Sequence, residues 1–411
     1  MQDLPSRLAA DARILALQGR LLWLVVLAGV TVTVLFTQTI LQVSFILTAE
    51  PATEAIKVDF RVFWAAAQLA LQGEPLAAFD TARLGDIHKV DPGAFMPWLY
   101  PPGYLVALMP FGALSFSTGF LVFTLLSVLL MGLATRSLSA GSVPVWLAMT
   151  LAPAYVPTLI IGQNNLIWLA GLLAALAALR DGRWALAGIF IGCLTLKPQL
   201  GLLLPVALLA AGLWRSILVA IITAAILALV PTLMFGPEYW PLLAERLSLM
   251  GKSLIHSLPD LFLMVGPMYL MSLLGLEAET ALRLQWGIVG LAAACVAFLW
   301  RSDRYGFDAR VAGLMLAMLL SAPYLWYYEA AMMAPIGLFM TRAGILGRTP
   351  LQLGLLLCLW LGGLLLALNA FLDFADGRML GAILITPVLT TSLILVLIHP
   401  FAARRSQMVV A

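Results

Sequence analysis

Ser216 to Gly236 reads SILVAIITAAILALVPTLMFG, a run with no charged residue. At a helical rise of about 1.5 Å per residue such a run spans the ~30 Å hydrocarbon core of a bilayer. Comparable runs recur along the whole 411-residue chain. Hydrophobic residues make up 63% of it and charged residues 10%. Soluble globular proteins carry about 25% charged residues, so this chain cannot clothe a water-facing surface. The composition predicts an all-α polytopic membrane protein. The net charge of +3 is small and scattered, which excludes nucleic acid as a partner and leaves membrane lipids as the surroundings. Cys193, Cys295 and Cys358 each sit in an apolar run, without metal-ligand spacing.

The arginines set the orientation. Arg7, Arg13 and Arg20 precede the first apolar run, and Arg404 and Arg405 follow the last, so both termini are predicted cytoplasmic. The turns with Arg180 and Arg183, with Arg215, with Arg301, Arg304 and Arg310, and with Arg342 and Arg348 fit the same side. One alternating path then has helices near 21–48, 117–136, 143–161, 164–179, 184–197, 199–214, 216–236, 281–300, 311–328, 330–342, 351–371 and 380–398. That is about twelve crossings in a single membrane domain, 21–400, between a cytoplasmic segment 1–20 and a tail 401–411. The first run, Leu21 to Leu47, is too long for a cleaved signal and is expected as a retained helix. Two long external loops result, about 49–116 and 237–280, with interfacial helices inside them. The apolar stretches 101–115 and 259–275 are expected to be re-entrant or interfacial.

Polar residues beside apolar runs are costly, which makes them informative. Asp59 precedes Phe60, Phe63, Trp64, Ala67 and Leu71, which recur at helical spacing. This predicts an amphipathic helix in the outer interface, with Arg61 on another side. Asp59 then reads either as a plain N-cap or as a general base held at the membrane surface. Leu99-Tyr100-Pro101-Pro102 predicts stiff extended backbone. Gly162-Gln163-Asn164-Asn165 reads as a turn with a cap, but a cap needs one amide, not three. Lys197 in Lys197-Pro198-Gln199 is one of four lysines and is flanked by apolar sequence. A lysine at a helix centre costs about 2.5–3.5 kcal/mol on insertion scales. It reads as a snorkelling residue at a helix end or as a cation for an anionic ligand. Two groups are available to compensate it, Glu329 or a ligand phosphate, and the phosphate is favoured. Glu329 closes the aromatic stretch Tyr324-Leu325-Trp326-Tyr327-Tyr328, and His256 stands in the second external loop. The arginine-derived orientation brings Asp59, Gln163, Asn164, Lys197, His256 and Glu329 to one face. A carboxylate, amides and a cation at membrane level suit chemistry between an anionic lipid head and a hydroxyl acceptor.

Asp59-Phe60 with Phe63-Trp64-Ala65-Ala66, Trp98-Leu99-Tyr100-Pro101-Pro102, Gly162-Gln163-Asn164, Leu196-Lys197-Pro198-Gln199, Phe235-Gly236-Pro237 with Trp240, and Ala322-Pro323-Tyr324 with Tyr328 occur in that order. In this the chain resembles glycosyltransferase family 87, polyprenyl-phosphate-dependent mannosyltransferases with the multi-helix GT-C fold, over about residues 55 to 340. Where relatives carry an Asp-Tyr-Asp type sequence this chain has Tyr327-Tyr328-Glu329, one acid fewer, and the segment around His256 matches loosely.

The resemblance implies a GT-C-type fold and an inverting sugar transfer from a polyprenyl-phosphate sugar, mannose or a related hexose or pentose, to a lipid or glycan acceptor. It places the site on the periplasmic side of a bacterial plasma membrane. Asp59 would be the general base. Lys197 with His256 would hold the donor phosphate. Arg61, Tyr100, Gln163, Asn164, Gln199, Tyr324 and Glu329 would form the sugar and acceptor pocket. No cofactor is expected, and a divalent ion bridging carboxylate and phosphate stays open. The alternative from another class is a lipid-linked saccharide flippase, which tends to show paired halves with interrupted helices. No such internal symmetry stands out. A relative that binds lipid without turnover is the third reading.

Overall fold

The computed structural model describes residues 5–16, 24, 27–29, 31, 35, 59–88, 97–347, 349–372 and 375–410. The expected first helix, 21–48, lies mostly outside the described residues. Among the described residues there is no strand, only an isolated bridge between Met264 and Trp326. Among the described residues, five helical segments are long and apolar enough to cross a membrane: Phe116–Arg136, Val143–Ile161, Trp214–Phe235, Ala278–Arg301 and Gly377–Pro400. The opening run is the clearest. Helix Trp214–Phe235 exposes Leu218, Ile221, Ile222, Leu229 and Leu233, the pattern of a helix that faces lipid rather than protein.

Several expected helices are divided where proline or glycine forbids continuation. Within 143–161, helix Val143–Thr150 stops at Leu151, Pro153 opens a short 3-10 turn, and Val156–Ile161 resumes. The expected helix 351–371 is split into Pro350–Leu361 and Leu364–Leu372. A Cβ on Gly363 would sit 2.3 Å from the Tyr327 carbonyl oxygen, so the diglycine break admits another chain segment at van der Waals contact. The expected helix 311–328 ends at Ser321, because Pro323 drives Ala322 into an extended conformation. Residues 322–328 leave the helix and pair with 263–265, through Val265 N–H to Leu325 O at 2.8 Å and Tyr327 N–H to Leu263 O at 3.0 Å. Segment 199–214 is a 3-10 turn, Pro198–Gly201, followed by helix Leu204–Ala210. In the expected non-spanning stretches lie helices Pro102–Gly112 and Pro267–Leu273, both too short to cross.

Helix Phe60–Leu71 forms as expected but does not lie on a surface. Phe60, Val62, Phe63, Ala65, Ala66, Ala67, Leu69 and Ala70 are all buried, leaving no broad polar face. The run of alanines explains this, since small side chains let neighbours approach closely on more than one side. On one side it meets helix Pro102–Gly112, where a Cβ on Gly112 would fall 2.7 Å from Ala67 Cβ. On another, Phe60 packs on Phe116, Phe120 and Phe123 at centroid distances of 5.9, 5.6 and 5.1 Å. Such pairs contribute roughly 0.5–1.5 kcal/mol each beyond burial.

Several of the arginines read as marking one side are paired with acids. Arg342, 1% exposed, meets Asp308 at 3.2 Å and Asp11 at 2.8 Å and donates to the Leu138 carbonyl at 3.0 Å. Arg7 meets Asp181 at 3.2 Å, and Arg180 meets the same acid at 3.3 Å. These links tie the first described helix to the bundle.

The orientation is testable on exposed positions. In a background without Cys193, Cys295 and Cys358, single cysteines at Asp86 and Asp303 are expected to label from opposite sides with an impermeant thiol reagent. Labelling of D303C from outside intact cells would overturn the arginine-derived path.

Candidate active site

Three interruptions in the helices meet at one place, and each is made by a residue that cannot continue a helix. The first follows helix Val156–Ile161, where Gly162 adopts φ +68°, the left-handed conformation that favours glycine. A Cβ there would also lie 2.5 Å from Phe60 Cβ and 2.7 Å from Phe120 Cε2. Gly162 therefore lets the chain turn while pressed against the start of helix Phe60–Leu71. The next residue, Gln163, is 2% exposed and donates from Nε2 to Asp59 Oδ2 at 2.7 Å.

This contact engages the Asp59 side chain away from the helix start. The residue occupies the N-cap position, yet its side chain makes no cap hydrogen bond. Nor does Asn164 cap helix Asn165–Arg180 with its side chain. Asp59 is half-buried. Burial pushes its carboxyl up to about 6, against the hydrogen bond from Gln163 and the positive charge of Lys197, which both lower it. The group thus changes charge near neutral pH, where a general base is most useful.

The second interruption is Lys197-Pro198, between the turn Leu194–Leu196 and the turn Pro198–Gly201. Lys197 is 3% exposed. Its ammonium hydrogen-bonds to Asn165 Oδ1, stands 3.5 Å from Glu329 Oε1, and lies 5.6 Å from the centre of the Tyr328 ring. The third interruption supplies that acid. Glu329 opens the turn Glu329–Met332, and its other carboxylate oxygen accepts from Trp326 N–H at 3.0 Å. Of the two compensators expected for Lys197, Glu329 is in place beside it, and Asn165 joins it. An ammonium has three donors, so one stays available.

A cavity of about 880 Å³ opens beside these groups. Tyr100, Lys197, Gln199, Tyr324, Tyr328 and Glu329 line its polar part. Its apolar wall includes Trp240, Leu243, Leu247, Met250 and Leu254, spaced as one stripe along helix Tyr239–His256. Asp59, Gln163 and Asn164 are not among the lining residues; Tyr100 links the two sets, with its hydroxyl 3.5 Å from Gln163 Oε1. Two expected residues stand apart. Arg61 stacks its guanidinium 4.9 Å from the Phe116 ring, and His256 is exposed at the end of its helix and does not line the cavity. Among the described residues, no group of three or more His, Cys, Asp or Glu side chains is placed to hold a metal.

Several members were not singled out from sequence. Asn165 had a signal, being the third of three amides. Tyr239 had none, yet its hydroxyl accepts from Trp98 Nε1 at 2.6 Å and donates to the Tyr100 carbonyl at 3.0 Å, fixing the Tyr100-Pro101 backbone. Trp326 lines the cavity, stacks on Tyr328 and holds Glu329 through its backbone.

The buried pair predicts a non-additive stability pattern. Lys197→Met alone is expected to cost about 3–5 kcal/mol, because Glu329 is left as an unpaired buried charge. Adding Glu329→Leu is expected to restore most of that loss. Thermal melts of the single and double variants in detergent check this, and a double variant no more stable than Lys197→Met would break the pairing argument.

A family model, glycosyltransferase family 87, matches residues 98–323, more than half of the chain. The match takes in Tyr100, Gln163 and Lys197, and it stops short of Asp59 on one side and Glu329 on the other. No curated protein and no solved structure matches the chain. The ordered motifs, the helical membrane architecture and this match agree: the chain belongs to glycosyltransferase family 87 and is a membrane glycosyltransferase.

Proposed function

We propose that the protein transfers a sugar, mannose or a related hexose or pentose, from a polyprenyl phosphate to a membrane-associated lipid or glycan acceptor, with inversion. The GT-C-type arrangement with about twelve crossings belongs to this reading. So does a site on the periplasmic face of a bacterial plasma membrane. The observation that carries the reading is the cavity with Lys197 at its polar end and an apolar stripe along helix Tyr239–His256. A long isoprenoid tail needs such a wall, and the phosphate that ends it needs such a cation.

The chemistry follows from the two ends of the site. The acceptor hydroxyl gives its proton to the Asp59 carboxylate. Its oxygen forms a bond to the anomeric carbon while the bond from that carbon to the phosphate oxygen breaks. The electron pair leaves with polyprenyl phosphate, so no proton donor is required. Negative charge grows on the leaving oxygen as the bond breaks, and the third N–H of Lys197, which lines the cavity, is the cationic donor assigned to receive it. A single displacement inverts the anomeric centre. Tyr100, Gln199 and Tyr324 line the cavity and are assigned to the sugar.

Asp59→Asn separates catalysis from folding. It is expected to abolish transfer while the protein inserts and purifies normally, since Asn keeps an oxygen that can accept from Gln163. The raised carboxyl means that ionised Asp59 costs stability above pH 6. That cost fades as the pH falls through about 6 towards the model-peptide value of 3.8. Asp59→Asn is therefore expected to melt at or above the wild-type temperature at pH 7.5, with the difference narrowing by pH 5. Wild-type transfer should fall on the acid side of pH 6, as the base becomes protonated. Radiolabelled polyprenyl-phosphate mannose and a membrane extract provide the assay, and near-normal turnover in Asp59→Asn would remove Asp59 as the base.

A further inference from the structure

Gln163 was assigned to the sugar pocket by resemblance, but it does not line the cavity. Its amide is instead fixed in one orientation. Oε1 accepts from the Asn164 backbone N–H at 3.3 Å and from the Tyr100 hydroxyl at 3.5 Å. With the oxygen engaged there, Nε2 is the end that faces Asp59, at 2.7 Å. That distance falls in the range of a charge-assisted N–H···O⁻ bond. A flipped amide would bring two oxygens together and would lose both acceptor contacts. We propose that Gln163 is the positioning residue for the base: through this hydrogen bond it holds Asp59 in one rotamer and favours its ionised form.

The backbone around Gln163 serves the same end. Gly162 in the left-handed conformation seats the amide against the start of helix Phe60–Leu71, and no Cβ fits at that point. The Tyr100 backbone is held in turn by Tyr239 and Trp98. The chain of contacts runs from Trp98 through Tyr239, Tyr100 and Gln163 to Asp59. Of the other groups near the carboxylate, Lys197 acts on it with opposite charge. Tyr100, Tyr327 and Tyr328 are neutral phenols that feel its charge. Glu329 faces Lys197, and Arg61 lies over Phe116. Gln163 supplies a hydrogen bond to the Asp59 carboxylate, and removing its amide removes that bond.

The role rests on the transferase reading for what the proton is used for, but the ionisation of Asp59 can be read without turnover. Infrared titration of the purified protein follows the protonated carboxyl band, and Asp59→Asn assigns it. The midpoint is expected near 6 in the wild type. In Gln163→Met, which keeps the side-chain length, it should rise by about one pH unit. In Tyr100→Phe, which removes only the hydroxyl that pins Oε1, it should rise by less. An unchanged midpoint in Gln163→Met overturns the proposal, and should that variant fail to fold, an unchanged midpoint in Tyr100→Phe does so. In the transfer assay the acid limb of the rate should move with the midpoint while the donor KM stays near wild type. A raised donor KM at every pH with an unmoved limb would return Gln163 to the sugar pocket. Absence of transfer by the wild type would count against the transferase reading and leave the infrared result to decide this one.

Discussion

An ammonium buried in an apolar helical protein has to be answered by other polar groups, and the position of Lys197 organises this molecule for that reason. Neither of its partners is near it in the chain. Asn165 and Glu329 come from two other helix interruptions, and each interruption exists because a glycine or a proline forbids a continuous helix. Had the helices run through Gly162, Pro198 or Pro323, their backbone groups would have been satisfied internally. The breaks bring Lys197, Asn165 and Glu329 to one level.

The same rule operates a second time around Arg342. Asp308 and Asp11 converge on its guanidinium from distant parts of the chain, and the Leu138 carbonyl takes a further donor. The two knots have different surroundings. Arg342 is held between two acids, in a tie between helices. Lys197 has one acid and one amide, and it borders a cavity with room for a ligand. Buried ion pairs add little net stability over apolar replacements. What they do is make one arrangement of helices acceptable and many others costly.

The base and the cation are held by different means. Lys197 is fixed by an acid together with an amide, Asp59 by a neutral amide at the end of a chain of hydrogen bonds that begins at Trp98. This keeps Asp59 from being neutralised by a cation at contact distance. Its carboxyl can then sit near 6 rather than well below the usual carboxylate range. An apolar helix stripe from Trp240 to Leu254 closes the other side of the cavity, so polar and apolar functions are carried by separate elements.

Composition and the spacing of apolar runs were sufficient for a helical membrane protein, because crossing hydrocarbon requires long uncharged helices and little else. Asp59, Gln163, Lys197 and Glu329 were also legible, since each is an expense in apolar sequence that needs a reason. Where helices divide was only partly legible: Pro198 was recognised as a break, while the break at Gly362-Gly363 depends on which segment crosses it. The burial of helix Phe60–Leu71 could not be read from its spacing, because alanines fit a polar-facing surface and a close helix contact equally well. Tyr239 and the orientation of the Gln163 amide were invisible for a further reason. Hydrogen bonds between residues more than sixty positions apart leave no local pattern, and their partners are chosen only when the chain has packed.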